Sequence, residues 1–258
     1  MNTQTTALSI IALFTAVEAV HAQRTRLYID DYYIDYVRSR QSLAVVDDVL
    51  YAGGRTYDPN NLSFGPNGEQ PGTSTSLGRA YDEITGNSYV GTLGFIYNPV
   101  TNAQFITLLN GTSSIAAFDN NLMEVSNNLF GVQNTQTGQY MTYNNFFNTT
   151  RAVRGLTAEN INGEMHLFYS IGSEVLQARV LGNLYDGSAS LETIQTYYHR
   201  NIDLGLITGV DLYNNNTRIA FATREGLGAS YINIIPAPAS GTLLLTTLAL
   251  TTTRRRRT

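Results

Sequence analysis

Short runs of β-prone side chains alternate with polar turns along most of the chain. Runs rich in Ile, Phe and Tyr, such as residues 95–97 and 165–169, are bounded by clusters of Asn, Asp and Gly. Asn and Asp side chains bond their own backbone, and Gly enters left-handed conformations freely, so such clusters favour tight turns. The pattern predicts β-hairpins and an all-β body. The turns are expected at residues 82–87, 98–102, 134–138, 160–163 and 214–217.

A weak internal repeat groups these hairpins. Gly78, Gly155 and Gly209 each open a strand that leads into one of the turns, and a second strand follows the turn. Strand, turn, strand, loop and strand is the layout of a propeller blade, and roughly 215 residues at 40–45 per blade make about five blades. The three glycines are spaced 77 and then 54 residues apart. Because this spacing is uneven, a two-sheet β-sandwich stays open beside the propeller-like array of antiparallel hairpins.

Helical periodicity is scarce, and its best candidates are residues 28–40 and 187–199. In the first segment Tyr28, Tyr32 and Tyr36 recur at helical spacing. The same residues also alternate as one face of a strand, so periodicity leaves helix and strand open there.

The first 22 residues have the layout of a secretory signal peptide. An apolar run at residues 7–17 is followed by small residues, and a cleavage between Ala22 and Gln23 is predicted. The run is too short to cross roughly 30 Å of hydrocarbon as a permanent helix, so removal is expected rather than anchoring.

Residues 236–258 contain three parts in order. A Pro-Ala-Pro motif stops the preceding strand, a mostly apolar run at residues 241–250 can form a short membrane helix, and an arginine cluster follows. The cluster would hold the end of that helix on the cytoplasmic side. Motif and cluster consist of Pro236, Ala237, Pro238, Arg254, Arg255, Arg256 and Arg257.

This order of parts resembles the PEP-CTERM sorting domain of exosortase substrates, with Ala237 where the family usually has Glu. The resemblance is limited to about residues 235–258. It implies an exosortase-like membrane enzyme that cleaves near the motif and passes the protein to the cell envelope or to extracellular polymer. A C-terminal anchor that is never removed is the alternative. The predicted organisation is a signal peptide at 1–22, a β-rich extracellular domain at 23–235 and a sorting signal at 236–258.

Composition narrows the chemistry of the body. The chain has no Cys, and all 16 of its Lys and Arg residues are Arg. Thiolate metal sites, Schiff-base lysines and phosphate-loop lysines are therefore excluded. Residues 23–240 hold 12 Arg against 19 Asp and Glu, a net charge of −7. Because phosphate contacts need clustered cations, no nucleic-acid partner is expected.

Few side chains in the body suggest catalysis. His166 and His199 are separate in sequence, so no zinc pair is indicated, and His166 within a strand is expected to be structural. Neither a Gly-x-Ser-x-Gly elbow nor a phosphate-binding loop is present. Carboxylates remain, but the sequence gives no sign of a buried pair with a raised pKa, and none is expected. No catalytic, cofactor-binding or metal residue is assigned.

One tyrosine-flanked carboxylate cluster is a tentative ligand site. Asp30, Asp31, Tyr32 and Tyr33 could bind a sugar hydroxyl, with a Tyr face against the ring, or a calcium ion. The sequence thus favours a non-enzymatic envelope or matrix protein whose β-rich domain binds or adheres, with extracellular polysaccharide as a candidate ligand. An exported glycosidase on a propeller is the alternative, and carboxylates converging in one cleft would favour it.

Overall fold

A computed structural model describes residues 23–34, 43–52, 55–62, 64–69, 78–92, 94–200, 205–223 and 225–234. The regular secondary structure of these residues consists of β-strands alone. The strands are β1 (Gln23–Arg26), β2 (Ile29–Ile34), β3 (Leu43–Val46), β4 (Val49–Ala52), β5 (Arg55–Tyr57), β6 (Phe64–Glu69), β7 (Gly78–Asp82), β8 (Asn87–Gly91), β9 (Phe95–Tyr97), β10 (Gln104–Ile106), β11 (Ser114–Phe118), β12 (Asn121–Ser126), β13 (Leu129–Asn134), β14 (Tyr140–Tyr143), β15 (Val153–Ile161), β16 (Glu164–Ile171), β17 (Glu174–Leu181), β18 (Ser190–Tyr198), β19 (Ile207–Tyr213), β20 (Arg218–Thr223) and β21 (Gly226–Tyr231).

The strands form five small sheets, each built from neighbouring antiparallel strands. Blade one is β3 to β6, blade two β7 to β10, blade three β11 to β14, blade four β15 to β18, and blade five β19 to β21. The first strands of the blades contact one another in the closed order β3, β7, β11, β15, β19 and again β3. This ring of inner strands makes the body a five-bladed β-propeller, which confirms the propeller prediction over the sandwich.

Strands from the start of the chain complete the last two blades. β1 pairs parallel with β18 as a fifth strand of blade four, and β2 pairs antiparallel with β21 as the outermost strand of blade five. Blade five therefore joins residues from both ends of the described body. Pairing of this kind covers sheet edges that would otherwise remain open.

The hydrophobic core is divided among the spaces between adjacent blades. One cluster joins blades three and four through side chains such as Phe130 and Leu167, and another joins blades four and five through Phe168 and Phe221. Further clusters lie between blades five and one and between blades two and three. Many strands are buried on both faces, and this explains why their sequences are continuous runs of apolar residues.

All five predicted turns join strands of one blade. The turn between β15 and β16 shows why its residues suit it, since Asn162 and Gly163 have φ angles of 56° and 83°. Asn and Gly adopt this left-handed region at the lowest cost.

The weak glycine repeat marks inner strands. Gly78 begins β7, whereas Gly155 and Gly209 lie within β15 and β19. A Cβ atom on Gly155 would lie 2.9 Å from the carbonyl carbon of Gly209, so the inner strands of blades four and five meet too closely for a side chain there. The interval from Gly78 to Gly155 is longer than that from Gly155 to Gly209 because it spans blades two and three. The inner strand of blade three begins at Ser114 and not at a Gly.

Both candidate helical segments were wrong as helices where the structure describes them. Residues 29–34 form β2, and residues 190–198 form β18. Each segment pairs with another strand, and the periodicity within a segment does not show which strand that is. Pairing in the folded protein therefore makes both segments strands. Residues 35–40 lie outside the described residues.

The predicted signals lie outside the described residues. This applies to residues 1–22, which include Ala22, and to residues 236–258, which include the motif and the arginine cluster. Within the described ranges, no helix has the length and apolar character needed to cross a membrane.

Candidate functional site

The tentative ligand residues Asp30, Asp31, Tyr32 and Tyr33 lie on β2, at the outer edge of blade five. The backbone of β2 pairs with β21, with Tyr32 opposite Gly228 and a register shift between Ile29 and Asp31. Three strands of the sheet separate β2 from the propeller axis. Binding of a sugar or calcium at this edge stays a prediction.

Acidic side chains instead converge where inner strands run into their first turns. Glu159 lies on β15 of blade four, Asp211 on β19 of blade five, and Glu83 in the turn after β7 of blade two. Glu159 and Asp211 are buried, with exposed fractions of 4% and 8%, whereas Glu83 is open to solvent. We call these three residues the axial carboxylates.

Asp211 connects three blades. The Thr157 hydroxyl of blade four donates to Asp211 Oδ1 at 2.7 Å, and the Val45 amide of blade one donates to Oδ2, also at 2.7 Å. Both carboxyl oxygens therefore have a partner from a neighbouring blade. Because buried polar groups need such partners, the Val45 bond ties the first blade to the last, and the Thr157 bond ties blade four to blade five.

Glu159 is less well satisfied. Thr157 Oγ1 also lies 3.5 Å from Glu159 Oε1, but a hydroxyl has one proton to donate, and its shorter contact is to Asp211. Glu159 Oε2 is buried and has no hydrogen bond of ordinary length in the described part of the chain. An ionised carboxylate in this position would be costly, so the neutral acid is favoured.

The pKa values follow from this environment. Burial, then the charges of Asp211 and Glu83, raise the pKa of Glu159 well above its usual value, although Thr157 and Asn216 oppose the shift. Burial raises the pKa of Asp211 to about 7, with Glu83 adding to the rise and the Val45 and Thr157 bonds opposing it. Partial burial also raises the pKa of Glu83. Near neutral pH, Asp211 can thus both hold and release a proton beside Glu159, for which burial favours the neutral acid.

The expectation that no such carboxylate pair exists was therefore wrong. Because Thr157 contacts both groups, Glu159 Oε1 and Asp211 Oδ1 are separated by no more than the sum of 3.5 Å and 2.7 Å. This limit applies to two oxygen atoms, so it allows both the roughly 5–5.5 Å and the roughly 6.5–9.5 Å between the carboxyl groups of glycosidases.

Other buried carboxylates have structural partners. Asp82 accepts backbone N–H bonds from Asp119 at 2.9 Å and Asn120 at 2.8 Å, which ties blade two to blade three. Glu124 accepts bonds from the Leu108 amide and the Thr112 hydroxyl. Both side chains hold loops in place and lack the unsatisfied oxygen that distinguishes Glu159.

His166 is fully buried on β16, with Nδ1 3.3 Å from Gln177 Nε2. Burial lowers its pKa, so the neutral ring is favoured at physiological pH. His166 is thus buried and hydrogen-bonded within a strand, as expected for a structural histidine. Within the described residues, no group of three or more His, Cys, Asp or Glu side chains is arranged to hold a metal ion.

Sequence reasoning missed Glu159 and Asp211, although the repeat pointed towards them. Asp211 follows Gly209 by two positions, and Glu159 follows Gly155 by four. In β19, a charged side chain inside a mostly apolar inner strand was the available signal for Asp211.

Neither a protein-family model nor a curated protein matches the chain. Among solved structures, the glutaminyl cyclase of Myxococcus xanthus superposes with a TM-score of 0.53 at 11% sequence identity. The match covers 83% of this chain and 100% of the cyclase chain. At this identity the likeness supports the propeller fold alone.

Proposed function

We propose that this chain is an exported bacterial surface protein, anchored in the envelope or associated with the matrix, whose propeller binds an extracellular ligand. The closure of the propeller carries the proposal. β1 and β2, which follow the predicted cleavage site, complete blades four and five. The body between the two predicted signals is thus one closed unit, as a displayed binding domain requires.

In this proposal, the C-terminal tail directs the protein to the cell surface. An exosortase-like enzyme recognises the region of Pro236, Ala237 and Pro238, while the short helix rests in the inner membrane before processing. A propeller at the cell surface or in extracellular polymer is the end point of that route.

Replacing Arg254, Arg255, Arg256 and Arg257 with Ser should impair membrane retention or C-terminal processing. The positive charge that orients the helix is lost in this variant. Cell fractionation and the intact mass of the mature protein measure the effect. The matched control replaces the same residues with Lys, which keeps the charge and should keep localisation. Unchanged envelope localisation and mature mass in the Ser variant would contradict the sorting proposal.

The axial carboxylates favour a second candidate, an exported carbohydrate-active enzyme. A neutral acid beside an ionisable one is the arrangement that general acid–base hydrolysis uses. Substrate would have to reach Glu159 and Asp211 from the side of the exposed Glu83, because the other two are buried. The solved propeller neighbour, a glutaminyl cyclase, is an enzyme.

A hydrolase screen on oligosaccharides distinguishes the two candidates. If the second holds, Glu159→Gln and Asp211→Asn should each lower turnover by about 10²-fold or more, as loss of a general acid or base does. Asp186→Asn is the control, since Asp186 lies in an exposed loop of blade four and should leave turnover unchanged. If the wild-type chain turns over no oligosaccharide, the glycosidase is excluded and the binding propeller stands.

A further inference from the structure

A cavity of about 250 Å³ lies at the outer side of blades four and five, where β1 leads into β2. It is lined by Arg26, Leu27, Tyr28, Ile29 and Arg200. Leu27 is buried and Ile29 is half-buried, so they form an apolar base, while both arginines and Tyr28 are exposed. We call this the edge cavity. Its strands are the outermost of their sheets, which separates it from the axial carboxylates.

The two arginines of the edge cavity take no part in the ion pairs that the structure describes. Those pairs join Arg24 and Arg151 to Glu174, and Arg179 to Glu164 and Glu192. Arg26 and Arg200 thus bring two guanidinium groups to one cavity of a body with a net charge of −7.

Aromatic rings hold these guanidinium groups in position. The Arg26 guanidinium carbon lies 5.2 Å from the ring centre of Tyr28, and that of Arg200 lies 5.6 Å from the ring centre of Tyr198. A cation–π contact of this kind does not consume the N–H donors of the guanidinium group. Those donors match the oxygens of a carboxylate, sulfate or phosphate in bidentate geometry.

Tyr28 offers a second kind of contact. Its side chain is 74% exposed, and its backbone carbonyl accepts a 2.7 Å bond from Ser230 Oγ, which holds the chain at this point. Tyr231 on the neighbouring strand is 68% exposed. Exposed tyrosine rings with an apolar face and a polar tip are well suited to binding a ring that carries hydroxyls.

We infer that the edge cavity binds an acidic saccharide unit, with the carboxylate of a uronate or a sulfate ester on Arg26 and Arg200 and the sugar ring on Tyr28. The cavity is smaller than the roughly 300–1,000 Å³ of drug-sized sites, which suits one ring of a polymer that continues into solvent. The preference for an anion follows from the two arginines that line the cavity. That the bound saccharide unit belongs to an extracellular polymer rests on the proposed binding function.

The test titrates the full-length chain, purified in detergent, with oligogalacturonate and with its methyl ester. The two ligands share rings and length and differ in charge. Oligogalacturonate should bind at least about tenfold more tightly than the ester, and raising salt from about 50 to about 300 mM should weaken its binding. Arg26→Gln, Arg200→Gln and Tyr28→Ala should each raise the dissociation constant, the arginine variants by about tenfold.

Two variants serve as matched controls. Arg151→Gln removes an exposed arginine that approaches Glu174, and Tyr140→Ala removes a 65% exposed tyrosine of blade three. Both should bind oligogalacturonate as the wild-type chain does. Inorganic sulfate and glycerol phosphate are the remaining arms, and each alone should bind much more weakly than the oligosaccharide.

The outcomes separate the inference from the proposed function. Glycan binding that survives Arg26→Gln and Arg200→Gln, or that ignores esterification, overturns the edge cavity and leaves a binding propeller standing. Preference for glycerol phosphate over oligogalacturonate also overturns it, in favour of a lipid headgroup. Failure of the wild-type chain to bind any saccharide on a glycan array removes the binding function together with the inference.

Discussion

Asp211→Asn should change how the stability of the propeller depends on pH. The free energy of unfolding of the variant should rise relative to wild type as pH increases from about 4 to about 7. The substitution keeps the bonding pattern, because the amide oxygen can accept from Val45 and the amide nitrogen can donate to Thr157. What it removes is the ionisation of Asp211 in the folded state.

The sign follows from the direction of the shift. The pKa of Asp211 rises from 3.8 to about 7 on folding, so the native state binds its proton more tightly than the unfolded chain does. This contribution is fully present below about pH 4 and is lost as pH rises through about 7. Glu159, whose pKa is also raised, acts in the same direction. At roughly 1.4 kcal/mol per pKa unit, the effect of Asp211 is on the order of 4 kcal/mol.

Urea unfolding of both proteins between about pH 4 and about pH 8 measures this difference. Asp186→Asn is the control. Hydrogen bonds from Ser188 lower the pKa of exposed Asp186, so removing this carboxylate should not raise the free energy of unfolding at high pH. Parallel curves for wild type and Asp211→Asn would mean that Asp211 titrates normally. That result would also weaken the glycosidase candidate, which needs one neutral carboxyl group near pH 7.

The local features of this fold can be predicted well from the sequence. Turn clusters such as Asn160 to Gly163 act through their own backbone preferences, so they could be placed without knowing the partners of each strand. The number of blades followed from length and the usual size of a blade. The uneven glycine spacing looked like evidence against a propeller, but it arose because β11 begins with Ser114.

The axial carboxylates could not be predicted in the same way. Glu159 and Asp211 meet only because β15 and β19 are adjacent inner strands, and Thr157 reaches Asp211 from 54 residues away. A strand pattern shows which residues are buried, but the neighbouring blade determines what each one contacts. The pKa shifts depend on those contacts, so they appear only once the ring is closed.

The edge cavity shows the same limit at the N-terminal end of the body. Periodicity left residues 28–36 between helix and strand, and the outcome was decided by β21, which lies near the other end of the body. Sequence reasoning singled out the Asp and Tyr residues at positions 30–33. It did not single out Arg26 or Arg200, since their proximity depends on β1 pairing with blade four.

Leu27→Ala should lower the free energy of unfolding by about 2–5 kcal/mol, the range for a buried Leu that leaves a cavity. Leu27 is 3% exposed and packs with the cluster between blades four and five, and its amide donates to the Tyr198 carbonyl at 2.8 Å. The N-terminal segment that completes both blades is fixed to the core through this side chain. Loosening it would open the edges of β18 and β21 together.

Tyr28→Ala is the matched control, because it changes the next residue along the chain and that side chain is 74% exposed. We expect it to alter the free energy of unfolding by no more than about 0.5 kcal/mol. Chemical denaturation with an unchanged m-value measures both variants on the same scale. Equal effects would contradict the role of Leu27 as the attachment of the N-terminal strands. We expect stability to be lost at Leu27, whose buried side chain packs into the cluster between blades four and five, and saccharide binding to be lost at Tyr28, whose side chain is exposed.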